Sequence, residues 1–294
     1  MDLRHLRCFM AVAEELHFAR AAERLHIEQS PLSRTIKELE EDLGVQLFVR
    51  TTRSTRLTQA GQLFQKHVPR VFATLSQARD SVKSAAAGYQ GQLRIALSDG
   101  VMSPRLTTLL AQCRQEDPEV DIRLFEVTLA QQIQGLHDDL YDAGFAQSAE
   151  VGGRILSEPA WSDLLVVAVP VRHPLLNYKR IPLEEVLRYP LVTCNARLCE
   201  GYCRQLARLL REVNLEPMVV EETASIDLML TLVAAGYALA LVGASQVAAC
   251  RNPDVVSRPL TKRSATLTTY LLRPKQQPGE ALSRFVNRVG RKVR

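Results

Sequence analysis

The sequence predicts an N-terminal all-α winged helix-turn-helix with a long linker helix, followed by a C-terminal α/β domain. Three patterns predict this fold. Two short amphipathic segments within residues 18–43 are joined by only three residues, 26–28, so their helices must cross steeply. Apolar residues then repeat at alternating steps of four and three over residues 64–85, which is a heptad pattern. After Gly88 and Gly91, short apolar strands alternate with helical stretches.

The composition limits the class of protein. A chain of 294 residues accommodates two or three compact units, and a hydrophobic fraction of 46% is ordinary for a globular protein. No apolar run approaches the roughly 20 residues that a membrane helix needs. The N-terminus carries Asp2 and Arg4 and does not have the pattern of a signal peptide. We therefore expect a cytoplasmic protein with reduced cysteines and no membrane partner.

The net charge is +5, and its placement is more informative than its size. Residues 43–79 contain no Asp or Glu. Because nucleic acid is polyanionic, a basic stretch beside a helix-turn-helix favours DNA binding over a merely solvated charged face. The cations of this stretch are Arg50, Arg53, Arg56, Lys66, Arg70 and Arg79.

Residues 1–58 form the predicted DNA-binding domain. A first helix over residues 3–16 precedes the two helices of the helix-turn-helix, and Gly44 ends the third helix as a C-cap. The small side chains of Ala21 and Ala22 allow the close helix crossing that the short connector demands. The alternating segment 47–57 predicts a two-stranded wing whose arginines reach phosphate or the minor groove.

The outer face of the third helix carries the side chains of a recognition helix. Amide, hydroxyl and cationic groups cluster in its first turns, where such helices meet base edges and phosphates. An ordinary surface helix is the alternative, but it does not explain this clustering. The candidate DNA contacts, including the wing arginines, are Gln29, Ser30, Pro31, Ser33, Arg34, Lys37, Arg50 and Arg53.

Residues 59–88 predict a linker helix, for which Thr58 is the capping residue. Its apolar positions keep a period of 3.5 over three heptads, which favours packing against a partner helix over packing in the core of its own domain. Pro69 removes one backbone hydrogen bond and predicts a kink. The candidate dimerisation residues are Phe64, Val68, Val71, Leu75 and Val82, with Ala78 and Ala85 in the same seam.

Residues 89–294 predict the α/β domain. Its candidate strands are residues 93–97, 122–127, 143–146, 164–169, 191–193, 218–220, 238–242 and 266–272. Its candidate helices are residues 104–116, 130–140, 201–213, 226–235 and 278–292. In open α/β sheets, ligands lie beyond the carboxyl ends of the strands, where helix N-termini favour anions.

Residues that follow these strands predict a site for a small, anionic effector. Each alone is an ordinary loop or cap residue, whereas together, at corresponding strand ends, they favour a site. The hydroxyls of Ser98 and Thr128 would hold the polar end of the effector, and Phe145 or Tyr202 would cover its apolar part. Asp99 would repel a carboxylate, so it either caps the following helix or meets an amine or hydroxyl. The candidate effector contacts are Ser98, Asp99, Gly100, Val101, Thr128, Phe145, Gly201 and Tyr202.

Three cysteines suggest an alternative receiver. Cys194, Cys199 and Cys203 form a C-x4-C-x3-C group, and three thiolates suit a soft metal ion or a redox switch. The spacing matches no common zinc framework, and cysteine is also an ordinary buried residue. The sequence has no Gly-x-Ser-x-Gly, P-loop or His-Glu-x-x-His motif. We therefore expect no enzyme, no resident metal and no cofactor, with thiol or metal sensing as the alternative function.

Residues 3–61 resemble the DNA-binding domain of the LysR-type transcriptional regulators. The resemblance rests on the segment LRHLRCFMAVAEELHFARAAERLHIEQSPLSRTIKELEEDLGVQLFVRTTRSTRLTQAG, and it extends over the whole chain in length and order of elements. The chain looks most similar to the branch that regulates the breakdown of benzoate, muconate and chlorocatechols. Two positions depart from the family pattern: Ala19 replaces a helix-capping Ser or Thr, and Glu28 replaces a Ser that often precedes the Gln.

The resemblance implies an organisation and a set of partners. It implies a periplasmic-binding-protein-like α/β domain of two subdomains, one of about residues 91–162 and 268–294 and the other of about residues 163–267, with the effector between them. An aromatic-acid-derived effector would fit this branch. The resemblance further implies double-stranded promoter DNA, RNA polymerase and other copies of the chain as partners, with a dimer through the linker helix and a dimer of dimers on the promoter.

Overall fold

Helices dominate the first part of the chain and strands alternate with helices in the rest. The computed structural model describes residues 1–50, 54–101, 103–211, 213, 215–262 and 265–291, and the chain divides into two units, Met1–Asp80 and Ser81–Arg294. The first elements are α1 (Leu3–Glu15), α2 (Phe18–Leu25), α3 (Gln29–Leu43), β1 (Phe48–Arg50), β2 (Thr55–Leu57) and α4 (Gln59–Ala86), of which α4 continues into the second unit.

Local sequence explains where these helices begin and end. The carboxylate of Asp2 accepts hydrogen bonds from the backbone N–H groups of Arg4 and His5 and caps α1. His26 takes the left-handed conformation (φ 55°) that ends α2, and Gly44 does the same (φ 69°) after α3. The hydroxyl of Thr58 accepts from the N–H of Gly61 at the start of α4, at 2.9 Å. The predicted caps at Gly44 and Thr58 therefore form.

The core of the first unit joins the three helices to the wing and to the start of α4. The ring of Phe9 lies 5.4 Å from that of Phe48 and 4.9 Å from that of Phe64, measured between centroids. Val68 is only 1% exposed in the same core. The prediction that Val68 contacts a partner helix is wrong, because Val68 is buried in the core of its own unit. Phe64 is half-buried and packs against the same core, and its contact with a partner helix stays a prediction.

The rest of the predicted seam on α4 is exposed. Val71, Leu75 and Val82 are 45%, 37% and 71% exposed. The heptad pattern therefore has two parts with different packing, because its first two positions fill the core of the first unit. α4 continues as one helix through Pro69.

The second unit alternates strands and helices. In order, its elements are β3 (Gly91–Leu97), α5 (Pro104–Glu116), β4 (Val120–Glu126), α6 (Leu129–His137), β5 (Ala143–Ala146), β6 (Ile155–Pro170), a 3-10 helix (Pro174–Asn177), α7 (Leu183–Val186), β7 (Leu191–Cys194), α8 (Glu200–Leu210), β8 (Val219–Thr223), α9 (Ile226–Ala234), β9 (Ala240–Gly243), α10 (Ala244–Cys250), β10 (Val255–Pro259), β11 (Thr266–Pro274) and α11 (Glu280–Arg291).

Two long strands connect the two halves of this unit. β3 pairs in parallel with β4 and β5, and β11 pairs antiparallel with β5 and with the first part of β6. The last part of β6, from Leu165 onward, pairs instead with β9 and β10. One apolar core surrounds Ile95 and Phe145, and a separate core surrounds Val167 and Leu241. The chain therefore crosses between two halves near Leu164 and Ala265.

Two strands differ from the sequence-based expectation. β6 was predicted over residues 164–169 only, because its first part carries polar residues such as Ser157 and Ser162 that break an apolar run. β10 was not predicted, and it forms by pairing with β6 from Val255 opposite Pro170. Within the described part of the chain, no helix has both the length and the apolar character of a membrane span.

Candidate nucleic-acid interface and effector cavity

The helix α3 buries one face and presents the other. Leu32, Ile36 and Leu39 are fully buried, which fixes the rotation of the helix about its axis. Five of the six predicted contacts on this helix are exposed, and Ser33 is half-buried. The N-cap residue Glu28 makes no side-chain hydrogen bond to the first turn, so the N–H groups of that turn can meet a phosphate. The exposed predicted contacts are Gln29, Ser30, Pro31, Arg34 and Lys37.

The wing is attached to α3 through one buried carboxylate. Glu40 accepts hydrogen bonds from the N–H groups of Leu47, at 2.7 Å, and Phe48, at 3.1 Å. This bond pair holds the start of β1 against α3, and β1 and β2 then pair antiparallel. Arg50 is the last residue of β1, and the predicted contact Arg53 lies outside the described residues. Sequence reasoning did not identify Glu40, whose role depends on a contact across the turn.

A cavity of about 660 Å³, here called the main cavity, lies in the second unit beyond the ends of β3 and β4 and beside the starts of α8 and α9. Four of the predicted effector contacts line it: Ser98, Asp99, Gly100 and Thr128. Its other lining residues are Glu126, Val127, Gln131, Leu198, Cys199, Ala224, Ser225, Ile226, Asp227, Gln246, Ala249 and Cys250. Side chains from both halves of the unit therefore share one cavity.

The charged groups of the main cavity are acidic. Asp99, Glu126 and Asp227 contribute three carboxyl groups, and the described lining residues include no Lys, Arg or His. Glu126 and Asp227 are exposed, whereas Asp99 is 2% exposed. The main cavity therefore has no cationic side chain with which to neutralise a bound carboxylate.

Asp99 connects the two halves of the unit. One of its carboxylate oxygens accepts from the N–H of Gly201 at 2.7 Å, and the other accepts from the N–H of Gln147 at 2.9 Å. Burial raises the pKa of the Asp99 carboxyl, and the two backbone hydrogen bonds oppose that rise. Of the two predicted roles of Asp99, capping of the following helix is wrong, because Ser103 caps α5 and Asp99 accepts from the first turn of α8 in the other half. A contact of Asp99 with an amine or hydroxyl of the effector stays a prediction.

The comparisons with known proteins agree with this architecture. Residues 3–62 match the family described as "Bacterial regulatory helix-turn-helix protein, lysR family", and residues 86–294 match the "LysR substrate binding domain". The chain belongs to the LysR family of transcriptional regulators. The predicted fold class is thereby confirmed. As a LysR-type regulator, the chain has promoter DNA, a small-molecule effector and further copies of itself as partners.

Similar relatives span nearly the whole chain. AlsR of Bacillus subtilis is 32% identical over 245 residues, which cover 83% of this chain and 81% of AlsR. BenM of Acinetobacter baylyi is 32% identical over 254 residues, with the same two shares. The crystal structure of CbnR, a LysR family transcriptional regulator, superposes with a TM-score of 0.79 at 27% identity over 100% of both chains. CbnR has also been solved in complex with its target DNA, with a TM-score of 0.78 over 99% of both chains.

Four predicted effector contacts of this LysR regulator lie outside the main cavity. Phe145 is fully buried against Trp161, 4.7 Å away between ring centroids. Tyr202 is also buried, and its hydroxyl donates to the carbonyl of Leu241. The structure therefore corrects the prediction that Phe145 or Tyr202 covers the effector, since both belong to the cores. Val101 and Gly201 also lie outside the lining of the main cavity.

The helix N-termini that predicted an anion site already have partners within the chain. At the start of α8, the carboxylate of Asp99 accepts from the N–H of Gly201 at 2.7 Å. The start of α6 is closed by a capping box, in which Thr128 and Gln131 bond to each other's backbone N–H. The hydroxyl of Thr128 is thus already engaged. The N–H groups of Gly201, Thr128 and Gln131 are thus bonded within the chain, and the anionic effector stays a prediction.

The cysteine group lies beside the main cavity. The neighbouring side chain of Cys194 lowers the pKa of Cys199, and the proximity of Cys199 together with burial raises the pKa of Cys194, whose thiol donates to the sulfur of Met229 at 3.2 Å. Burial raises the pKa of Cys203 to about 11, and its thiol donates to the carbonyl of Cys194 at 3.2 Å. Among the residues that the structure describes, no group of three or more His, Cys, Asp or Glu can hold a metal ion.

Proposed function

We propose that this LysR-type regulator changes its action at a promoter when a small effector binds in the main cavity. The observation that carries the proposal is a cavity of about 660 Å³ whose walls come from both halves of the second unit, at the ends of β3 and β4. A cavity of this size suits a metabolite of a few hundred daltons at most. Because two halves share it, a bound molecule can change how they pack.

We further propose that the effector carries no net negative charge. Three carboxyl groups line the main cavity and would repel an anion. A helix end bears only about half a unit charge, and the starts of α6 and α8 already hold hydrogen bonds from within the chain. Amine, hydroxyl or amide groups would find carboxylates and side-chain amides as partners. Leu198 and Ile226 would cover an apolar part.

A matched series of aromatic compounds tests the charge preference. Thermal-shift and calorimetric titrations would compare benzoate, benzamide and benzylamine, which share one ring and differ in charge. We expect benzylamine and benzamide to bind more tightly than benzoate, and the variant Glu126→Gln with Asp227→Asn to reduce the difference. Tighter binding of benzoate would contradict the proposed effector class and restore the expectation of an anion.

The DNA-binding half of the function is proposed to use the exposed face of α3. Gln29 and Arg34 are proposed to read bases, and Ser33 and Lys37 to meet backbone. Lys37 lies 3.4 Å from Glu41 in an exposed ion pair, and a phosphate can readily replace Glu41 as its partner.

We propose a dimer through Val71, Leu75 and Val82, which pairs further into a tetramer that contacts RNA polymerase. Since promoter DNA is the target, the cytoplasm is the proposed location.

A second candidate function is thiol sensing through the main cavity. Cys199 lines the cavity, and the neighbouring Cys194 favours its thiolate. Hydrogen peroxide would oxidise this thiol pair: two S–H bonds and the O–O bond break, the S–S bond forms, and the peroxide takes up the two electrons and two protons to leave as two water molecules. In promoter assays, Cys199→Ser would abolish a response to hydrogen peroxide if this candidate is correct. An unchanged response to a bound metabolite in the same variant would favour the effector proposal.

A further inference from the structure

A second and much smaller cavity, here called the small cavity, adjoins the main cavity. Its volume is about 20 Å³, and Gln246 lines both. The segment after β3 also borders both, because Ser98 lines the main cavity and Val101 lines the small one. A space of this size accommodates one oxygen or nitrogen atom with its hydrogens.

Gln147 lines the small cavity and carries a buried acceptor. The residue is 6% exposed, and its side-chain oxygen Oε1 is buried without a hydrogen-bond partner among the described residues. Its backbone is held on both sides, since its N–H donates to Asp99 at 2.9 Å and its carbonyl accepts from Gln205 at 2.6 Å. Because these bonds fix the main chain, the side chain has little freedom to reach solvent.

A second acceptor lies in the wall of the small cavity. The carboxylate of Asp163 accepts from the N–H of Ser245 at 3.0 Å and from its hydroxyl at 2.6 Å, and it keeps lone pairs for a further donor. Trp161 adds an apolar surface. Arg105 is the cation of this wall and is exposed. The small cavity thus offers a compact hydrogen-bond donor two acceptors, Oε1 of Gln147 and the carboxylate of Asp163.

We propose that the small cavity is the subsite for a hydroxyl or ammonium group of the effector, which donates a hydrogen bond to Oε1 of Gln147. This inference rests on the proposed function of the main cavity and specifies which group of the effector is recognised. A donor in this position satisfies a buried acceptor that is otherwise unpaired, so molecules lacking the donor bind less well.

One test needs no ligand. Gln147→Met keeps the approximate shape of the side chain and removes the unpaired oxygen, so we expect the melting temperature to stay the same or rise. The matched control is Gln134→Met, on the exposed face of α6 and outside both cavities. A fall of several degrees in Gln147→Met alone would show that a permanent donor already satisfies Oε1, and it would overturn the proposal.

The second test uses two probes that differ in one donor. Ligand-observed NMR would compare benzyl alcohol with benzyl methyl ether, whose oxygen can only accept. We expect the wild type to prefer the alcohol by roughly fivefold, the ratio that one net hydrogen bond gives. The preference should disappear in Gln147→Met and persist in Gln134→Met. If wild type binds both probes equally, the subsite is wrong while the main cavity stands. If the wild type binds neither probe and also fails to bind benzamide and benzylamine, the proposed function and the subsite are both wrong.

Discussion

At the scale of single residues, Asp99 decides how the two halves of the second unit meet. Its carboxylate bonds to backbone N–H groups of Gln147 in one half and Gly201 in the other. Such close approach is possible only because position 201 has no side chain. A Cβ atom there would lie 2.5 Å from a carboxylate oxygen of Asp99 and 2.6 Å from the carbonyl carbon of Gln147.

Gly201→Ala should therefore destabilise the second unit. The added methyl group meets backbone that cannot move aside, so we expect the free energy of unfolding to fall by about 1–3 kcal/mol. Urea denaturation followed by fluorescence of Trp161 would measure the loss. Gly153→Ala is the control, because a Cβ at Gly153 has no neighbour within 4 Å. Equal stability of the two variants would show that the contact with Asp99 does not constrain position 201.

At the scale of secondary-structure elements, an ion pair joins the end of α5 to α11. Arg288 lies 2.5 Å from Asp117 and 2.6 Å from Glu116, and the side chains of Arg288 and Asp117 are only 10% and 11% exposed. The hydrogen bond to Arg288 lowers the pKa of the Asp117 carboxyl below its ordinary value of 3.8. A carboxyl with a depressed folded-state pKa stabilises the fold at higher pH and loses that contribution as the pH falls through this pKa.

Asp117→Asn should lower the free energy of unfolding by about 2 kcal/mol at neutral pH, because Arg288 and Arg284 each lose one carboxylate partner and Arg288 keeps only Glu116. The difference from wild type should stay constant down to about pH 5 and shrink below about pH 4, as Asp117 becomes protonated in the wild type. Denaturation at a series of pH values measures this difference in the free energy of unfolding. Asp254→Asn, at an exposed turn, serves as the control. A difference that stays constant below pH 4 would argue against the ion pair as its source.

The exposed part of α4 allows a separate test of self-association. Leu75→Asp would place a charge in the proposed dimer seam, so we expect sedimentation to show a smaller assembly. Leu75 is 37% exposed within one chain, so the variant should still fold. Ser76→Asp adds the same charge outside the seam and should keep the wild-type assembly. An unchanged assembly of Leu75→Asp would reject the seam.

Elements were predictable from the sequence where their causes are local. The strand β5 was predicted at the residues observed, and α3 has the spacing and the glycine cap that define a helix. The burial of Phe145, which was predicted to cover the effector, was not predictable. Phe145 packs against Trp161 and Phe285, which are distant in sequence. Asp99 was recognised as unusual, yet its partner Gly201 lies 102 residues away. Patterns along the chain cannot specify such a contact.

At the scale of the whole molecule, the two units have separate cores, and we propose that they carry separate tasks, DNA binding and effector binding. The core of Met1–Asp80 supports the recognition helix, and the cores of Ser81–Arg294 surround the strands that end at the main cavity. A substitution in one unit should therefore leave the binding affinity of the other unit for its own ligand unchanged. Effector binding can then influence promoter activity only through differences in assembly or conformation that the effector itself favours.

Two single variants and their combination test this separation. The specific DNA site would be selected from a random library. Arg34→Ala removes a base contact, so it should reduce the preference for this site over random DNA by about 1–3 kcal/mol. The same variant should leave benzylamine binding unchanged. Asp227→Asn should weaken benzylamine binding and leave DNA affinity without the amine unchanged. Fluorescence anisotropy and calorimetry measure the two affinities. The double variant should show the sum of both effects to within about 0.5 kcal/mol, as expected for sites without shared contacts. A loss of DNA preference in Asp227→Asn alone would show that the two tasks are already linked without an effector.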